Sequence, residues 1–316
     1  MNDILRRTER EVSMKKLTTL FLAVILIFVM TACGGKTNEN SSESTSFPMT
    51  VTDYLGTEMT FDAVPEKIVS LSPSCTEILY ELGLGDKMVG VSNWCTYPKE
   101  VENVEKVGDT YSVSVEKIIE LEADVVFISG AASAESVEAL NTAGINVYSI
   151  GAKDVNGIFS SIEAVGKVTG TSEEATAIVD GMKEKLQTLE EQFGQMDTKS
   201  VFLDLGDLYS SGSEDYLGAS FSLINAENIA LDAGVNSPQL SAETVIERNP
   251  QVYIVLSSQE NFTKPAGFDE IDAFKNGEVY YIDYADPATD MITRDGPRFI
   301  DGLEYLGNLI HKTDEK

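Results

Sequence analysis

The chain of 316 residues offers little to acid–base or nucleophilic chemistry. Its one histidine, His311, stands close to the C-terminus, which excludes histidine-rich zinc sites and most histidine-dependent nucleophilic or acid–base catalysis. No glycine-rich phosphate loop or metal-ligand cluster is present in the sequence. We therefore expect no catalytic residues, no resident metal and no cofactor. One cysteine, by contrast, is placed for modification. Lys15 and Lys16 precede an apolar run from Leu17 to Met30, and Thr31, Ala32 and Cys33 come next. A basic start, an apolar core and small residues before a cleavage point describe an export signal. The run is short for a membrane span, which needs roughly 20 residues. The spacing predicts cleavage before Cys33 and lipid on its sulfur, as in bacterial lipoprotein signals. The alternative is an uncleaved anchor with Cys33 buried. Residues 1–13 read as an upstream extension or a misplaced start. The chain beyond Cys33 is then extracytoplasmic and anchored to the cell membrane by its lipid.

Charge narrows the partners. Loss of residues 1–32 removes five of the 23 basic and three of the 52 acidic residues and leaves a net charge near −31. Nucleic acid and anionic lipid surfaces both require a basic footprint, so neither is an expected partner. Two cysteines remain, Cys75 and Cys95, available as a pair in an oxidising compartment; sequence does not establish their geometry.

The elements that must position any site emerge from periodicity. Residues 33–48 form a flexible tether, rich in Gly, Ser, Asn and Thr. Residues 50–61 predict a hairpin turned at Gly56. Short apolar runs at 68–71, 88–91, 125–128 and 145–148 alternate with helix starts near Cys75, Val115 and Ser133, the last helix ending at Gly144. This describes an N-terminal α/β lobe over 49–153 with a mainly parallel sheet. A helical region over 154–196 comes next. Within it Ala175, Ile178, Met182, Leu186, Leu189 and Phe193 form one helical stripe, and Thr171 to Glu174 fit a capping box. A helix over 172–193 is about 33 Å long, enough to join two lobes. Strand–helix alternation then resumes over 197–316, with strands at 201–203, 252–255 and 279–282 and helices near 220–224, 242–248 and 297–310.

An internal repeat ties the halves together. Glu116 stands nine residues before the strand that begins at Val125, and Glu243 nine before the strand that begins at Val252, each leading into paired apolar residues. Two similar lobes and a rigid connector enclose a cleft, where pockets preferentially form.

The motifs Ser70-Leu71-Ser72-Pro73-Ser74-Cys75-Thr76-Glu77-Ile78-Leu79, Gly83-Leu84-Gly85-Asp86, Tyr97-Pro98, Val107-Gly108-Asp109, Lys275-Asn276-Gly277-Glu278-Val279-Tyr280 and Gly296-Pro297-Arg298 lie between about Thr50 and Leu309. Together they resemble the substrate-binding proteins of ABC importers for iron–siderophore complexes and vitamin B12. The resemblance implies two Rossmann-like α/β lobes joined by a single long helix, with a ligand cleft between them. It implies a monomer that captures a corrinoid or ferric siderophore and delivers it to a membrane permease and its ATPase. In the B12-binding members one surface Glu on each lobe docks onto permease arginines, and Glu116 and Glu243 match those positions. The alternative is that both are helix-start glutamates favoured by the helix dipole.

In such lobes ligand groups come from loops beyond the strand C-terminal ends. The candidates are Ser74, Cys75, Trp94, Tyr97, Tyr111, Tyr209, Tyr284 and Arg294. Trp94 is positioned to stack on a flat ligand, or to pack as an ordinary lobe aromatic. Tyr111 lies one position from an aromatic pocket residue of the B12-binding relatives. Tyr209 and Tyr284 serve the pocket or pack at strand ends, and Arg294 pairs with an anionic ligand or with a structural acid. An extracellular enzyme or a structural lipoprotein on the same bilobed fold is the competing function.

Overall fold

The computed structural model describes residues 46–313; the expected signal, Cys33 and most of the tether lie outside the described residues. The chain enters through an antiparallel hairpin of β1 (Met49–Thr52) and β2 (Glu58–Phe61), turned where Gly56 holds φ +84°. The first lobe then runs β3 (Ile68–Ser70), α1 (Pro73–Glu81), β4 (Met88–Val91), α2 (Val115–Glu120), β5 (Val125–Ser129), α3 (Ala134–Thr142) and β6 (Asn146–Ile150). Two helices come next, α4 (Val155–Thr169) and α5 (Ser172–Phe193). The second lobe comprises β7 (Lys199–Asp204), α6 (Tyr216–Ser220), β8 (Ala226–Asn228), α7 (Ala242–Arg248), β9 (Val252–Val255), α8 (Asp272–Asn276), β10 (Val279–Tyr281), α9 (Pro287–Thr293) and α10 (Phe299–His311).

Each lobe holds a four-stranded parallel sheet, ordered β4-β3-β5-β6 in the first and β8-β7-β9-β10 in the second. Counted from each lobe's own first strand, both orders are second-first-third-fourth. The central strands are buried on both faces, which explains their unbroken apolar runs. The outer face of the first sheet packs under a cluster that includes Val126, Ile118 and Leu140, and that of the second under Tyr253, Phe268 and Val245. The inner faces share one continuous core with the connecting helices.

The helix over 172–193 forms with the expected bounds, and Ala175, Met182, Leu186, Leu189 and Phe193 are buried along it. It packs on α4 of the first half and on α10 and the turn Phe221–Ile224 of the second. Close approach at its two ends depends on glycine: a Cβ on Gly166 would come within 2.4 Å of the Ala175 Cβ, and one on Gly307 within 2.5 Å of the Phe193 ring. Gly181, with nothing within 4 Å of an added Cβ, has no such role.

The expected capping box does not form. Thr171 has ψ 42°, and its hydroxyl pairs with Thr169 Oγ1 at 2.9 Å rather than with α5. A side-chain cap requires an extended backbone at that residue, and the tight turn through Gly170 (φ +73°) denies it.

Candidate ligand cleft and docking face

The site begins at the strand C-terminal ends. There the side chains of one lobe's loops meet those of the other. Lys153, beyond β6, pairs with Glu214 of the second lobe at 2.6 Å. Ser129, at the end of β5, donates to Asp295 at 3.4 Å. Below these lies a charged seam. Glu77 on α1 is 4% exposed and accepts from Arg294 Nη1 at 2.6 Å and from Arg298 Nε and Nη2, both at 2.7 Å. Arg294 also pairs with Asp290 at 2.7 Å. A buried carboxylate is tolerable only with such partners.

The seam decides where several expected site residues point. Arg294 is held by two carboxylates and reaches Thr96 Oγ1 at 3.4 Å. Ser74 is buried and hydrogen-bonds Asp295, whose carboxyl is pushed up to about 6, chiefly by burial. Cys75 belongs to the core, and burial raises its thiol pKa. Ser74 and Cys75 therefore present their side chains to the seam and the core, not to open cleft. Cys75 and Cys95 are both free and buried; Cys95 Sγ hydrogen-bonds with Thr76 Oγ1 at 3.0 Å.

The five aromatic candidates are all exposed: Trp94 by 66%, Tyr97 by 45%, Tyr111 by 96%, Tyr209 by 42% and Tyr284 by 64%. Each stands on a loop beyond the C-terminal end of a strand, where the sequence placed the candidate ligand groups. Local polar contacts orient them. Asp109 accepts from Trp94 Nε1 at 3.2 Å and from the backbone amides of Tyr111 and Ser112, both at 2.9 Å, so one carboxylate organises two of the aromatics. The Tyr97 ring lies 3.9 Å beneath the Arg298 guanidinium, a cation–π contact across the lobes. In the second lobe, Asp204 accepts from the amides of Gly206 and Leu208 and from Tyr253 Oη at 2.5 Å. It thereby holds Asp207 and Leu208 at φ +50° and +63°, just before Tyr209. Tyr284 Oη donates to Leu205 O in the same loop at 3.2 Å.

The residues missed from sequence are Arg298, which lies over the Tyr97 ring, Asp204, which sets the loop before Tyr209, and the buried acids Glu77 and Asp295 of the lobe contact. Glu77 carried a signal, being an acid within the apolar run Cys75–Leu79, which implies a buried cation partner. The others carried none.

Glu116 and Glu243 take no part in the ion pairs of the seam. Each is exposed at the second position of its helix, α2 or α7. Each helix leads into its lobe's third strand, and Ile118 and Val245, two residues on, are buried. The Glu243 carboxylate is held below its ordinary range by its own amide and by Ser241. Among the described residues no group of His, Cys, Asp and Glu is arranged to hold a metal, and no helix is long and apolar enough to cross a membrane.

Known proteins with this arrangement are transport receptors. An uncharacterized ABC transporter substrate-binding lipoprotein of Bacillus subtilis is 36% identical, over 94% of this chain and 98% of its own length. A cobalamin-binding protein of Halobacterium salinarum is 27% identical over 87% of this chain and 77% of its own. The crystal structure of the periplasmic vitamin B12 binding protein of Vibrio cholerae superposes with a TM-score of 0.69 and 26% identity, covering 80% of this chain and 99% of that one. The family model for periplasmic binding proteins matches residues 68–285, and the chain belongs to that family.

Proposed function

We propose that the protein is the extracytoplasmic receptor of an ABC importer, anchored by lipid on Cys33. It captures a corrinoid or ferric siderophore between lobes 49–153 and 197–316, held apart by the helical region 154–196. It then delivers its ligand, as a monomer, to the permease and its ATPase. The observation that carries this reading is the set of five exposed aromatics on the facing loops of two lobes. Paired arginines and buried carboxylates set the loops in place before ligand arrives. Such preorganisation lowers the ordering cost of binding. Glu116 and Glu243, at equivalent points of the two lobes, supply a two-point contact for basic pockets on the permease.

The sole tryptophan of the chain, Trp94, reports the test. Titration with cyanocobalamin and with a ferric hydroxamate should quench its fluorescence, with one of the two saturating at submicromolar concentration. Stacking contributes on the order of 1 kcal/mol beyond area burial, so Trp94→Ala should weaken binding by about tenfold. No response to either, in folded protein, removes the assignment.

A further inference from the structure

We infer that the cleft selects a neutral or cationic ligand and rejects an anionic one. This rests on the proposal that the interlobe cleft is the ligand site, and it deepens that proposal by naming the charge of the cargo. The first ground is the use already made of the cations. All three arginines among the described residues are paired with carboxylates: Arg248 with Asp232, Arg294 with Glu77 and Asp290, and Arg298 with Glu77. The two that approach the cleft thus carry no uncompensated charge for a ligand.

The second ground is the composition of the loops themselves. On the first lobe the loops 92–97, 108–112, 129–133 and 150–154 contain one cation, Lys153, and Glu214 neutralises it at 2.6 Å. Lys106, outside these loops, donates to the Cys95 carbonyl at 3.1 Å, and Lys99 also lies outside them, exposed in the turn Lys99–Asn103. On the second lobe the stretches 205–209, 256–261 and 282–286 carry Asp207, Glu260, Asp283 and Asp286, all exposed, and no Lys or Arg. The mature chain's large negative charge adds a long-range field of the same sign.

The third ground is what remains to bind with. The exposed aromatics offer flat faces, whose quadrupole attracts cations and which stack on neutral rings. An anionic chelate brought among them would lose hydration, meet like charge and find, on the named loops, no guanidinium or ammonium free of a carboxylate to replace its water. A corrinoid of no net charge or a cationic ferric hydroxamate meets neither obstacle. Ferric triscatecholates and porphyrin dicarboxylates meet both.

Three probes test this on the mature chain, monitored by Trp94 fluorescence and by calorimetry: neutral cyanocobalamin, cationic ferrioxamine B and anionic ferric enterobactin. We expect cyanocobalamin or ferrioxamine B to bind at least a hundredfold more tightly than ferric enterobactin. Any residual affinity for the anionic probe should rise with salt, because screening weakens the repulsion. Asp283→Lys should raise the ratio of affinity for ferric enterobactin to that for cyanocobalamin by about tenfold. If ferric enterobactin binds as tightly as the best of the others, the charge inference falls and the cleft proposal stands. If no probe binds, both fall together.

Discussion

Glu77 and Arg298 stand 221 residues apart in sequence and meet through two hydrogen bonds of 2.7 Å at the base of the cleft. One residue belongs to the first helix of the first lobe, the other to the segment before the last helix of the second. Arg298 also carries the Tyr97 ring on its face. A contact that joins the lobes is thus also one that supports an exposed aromatic, Tyr97.

Removing the shared, buried carboxylate leaves two half-buried arginines without their common partner. Breaking a buried ion pair from one side costs about 3–5 kcal/mol, so Glu77→Gln should lower the unfolding free energy by about 3 kcal/mol in urea titration. Because Tyr97 loses its support, ligand affinity should fall as well. A loss under about 1 kcal/mol would show that the seam is solvated and contributes little.

Docking is expected to depend on charge and not on ligand contact. Glu116→Arg or Glu243→Arg should abolish uptake in cells while the affinity measured on purified protein stays within twofold. Like charges placed against one another at such a surface cost several kcal/mol. Normal transport by both variants would reduce these residues to helix-start glutamates.

Anchoring should depend on the cysteine. Cys33→Ser is expected to release the protein into the medium or leave the precursor unprocessed, since two acyl chains are needed for stable attachment. Fractionation and mass measurement of the N-terminal peptide distinguish these outcomes. A variant cleaved and retained like the parent would sink the lipid assignment.

Asp295 predicts a pH dependence of known sign. Its carboxyl is raised from 3.8 to about 6 in the folded chain by burial, and the nearby Asp215 carboxylate adds to the shift. A raised carboxyl favours the protonated native state, so its stabilising contribution is full below about pH 4 and is lost as pH rises through about 6. Asp295→Asn removes that loss. The variant should therefore gain stability relative to the parent between pH 4 and 7, by up to about 3 kcal/mol. Parallel stability curves for the two proteins would place the titration elsewhere.

The sequence by itself determined whatever repeats or alternates locally. The bounds of α5 come from one apolar stripe, because a buried helix face must recur every 3.6 residues. The strand runs were legible because a two-sided parallel sheet leaves no polar face. The equivalence of Glu116 and Glu243 emerged from spacing alone, since both precede a third strand in the same lobe topology. The short strand β8, Ala-Glu-Asn, was not legible because it has no strand-forming composition and exists through pairing with β7. Helices α8 and α9 were not legible either: each is under two full turns and, unlike the equally short α7, lies outside the internal repeat. Only the tertiary structure decided that Arg294 belongs to Glu77, that Ser74 and Cys75 turn away from open cleft, and that Asp109 holds Trp94. These depend on charges and hydroxyls brought together by the packing of distant segments, 217 residues apart for Arg294 and Glu77. No local propensity encodes such pairs; burial at the lobe contact does, by making an unpartnered charge too costly to keep.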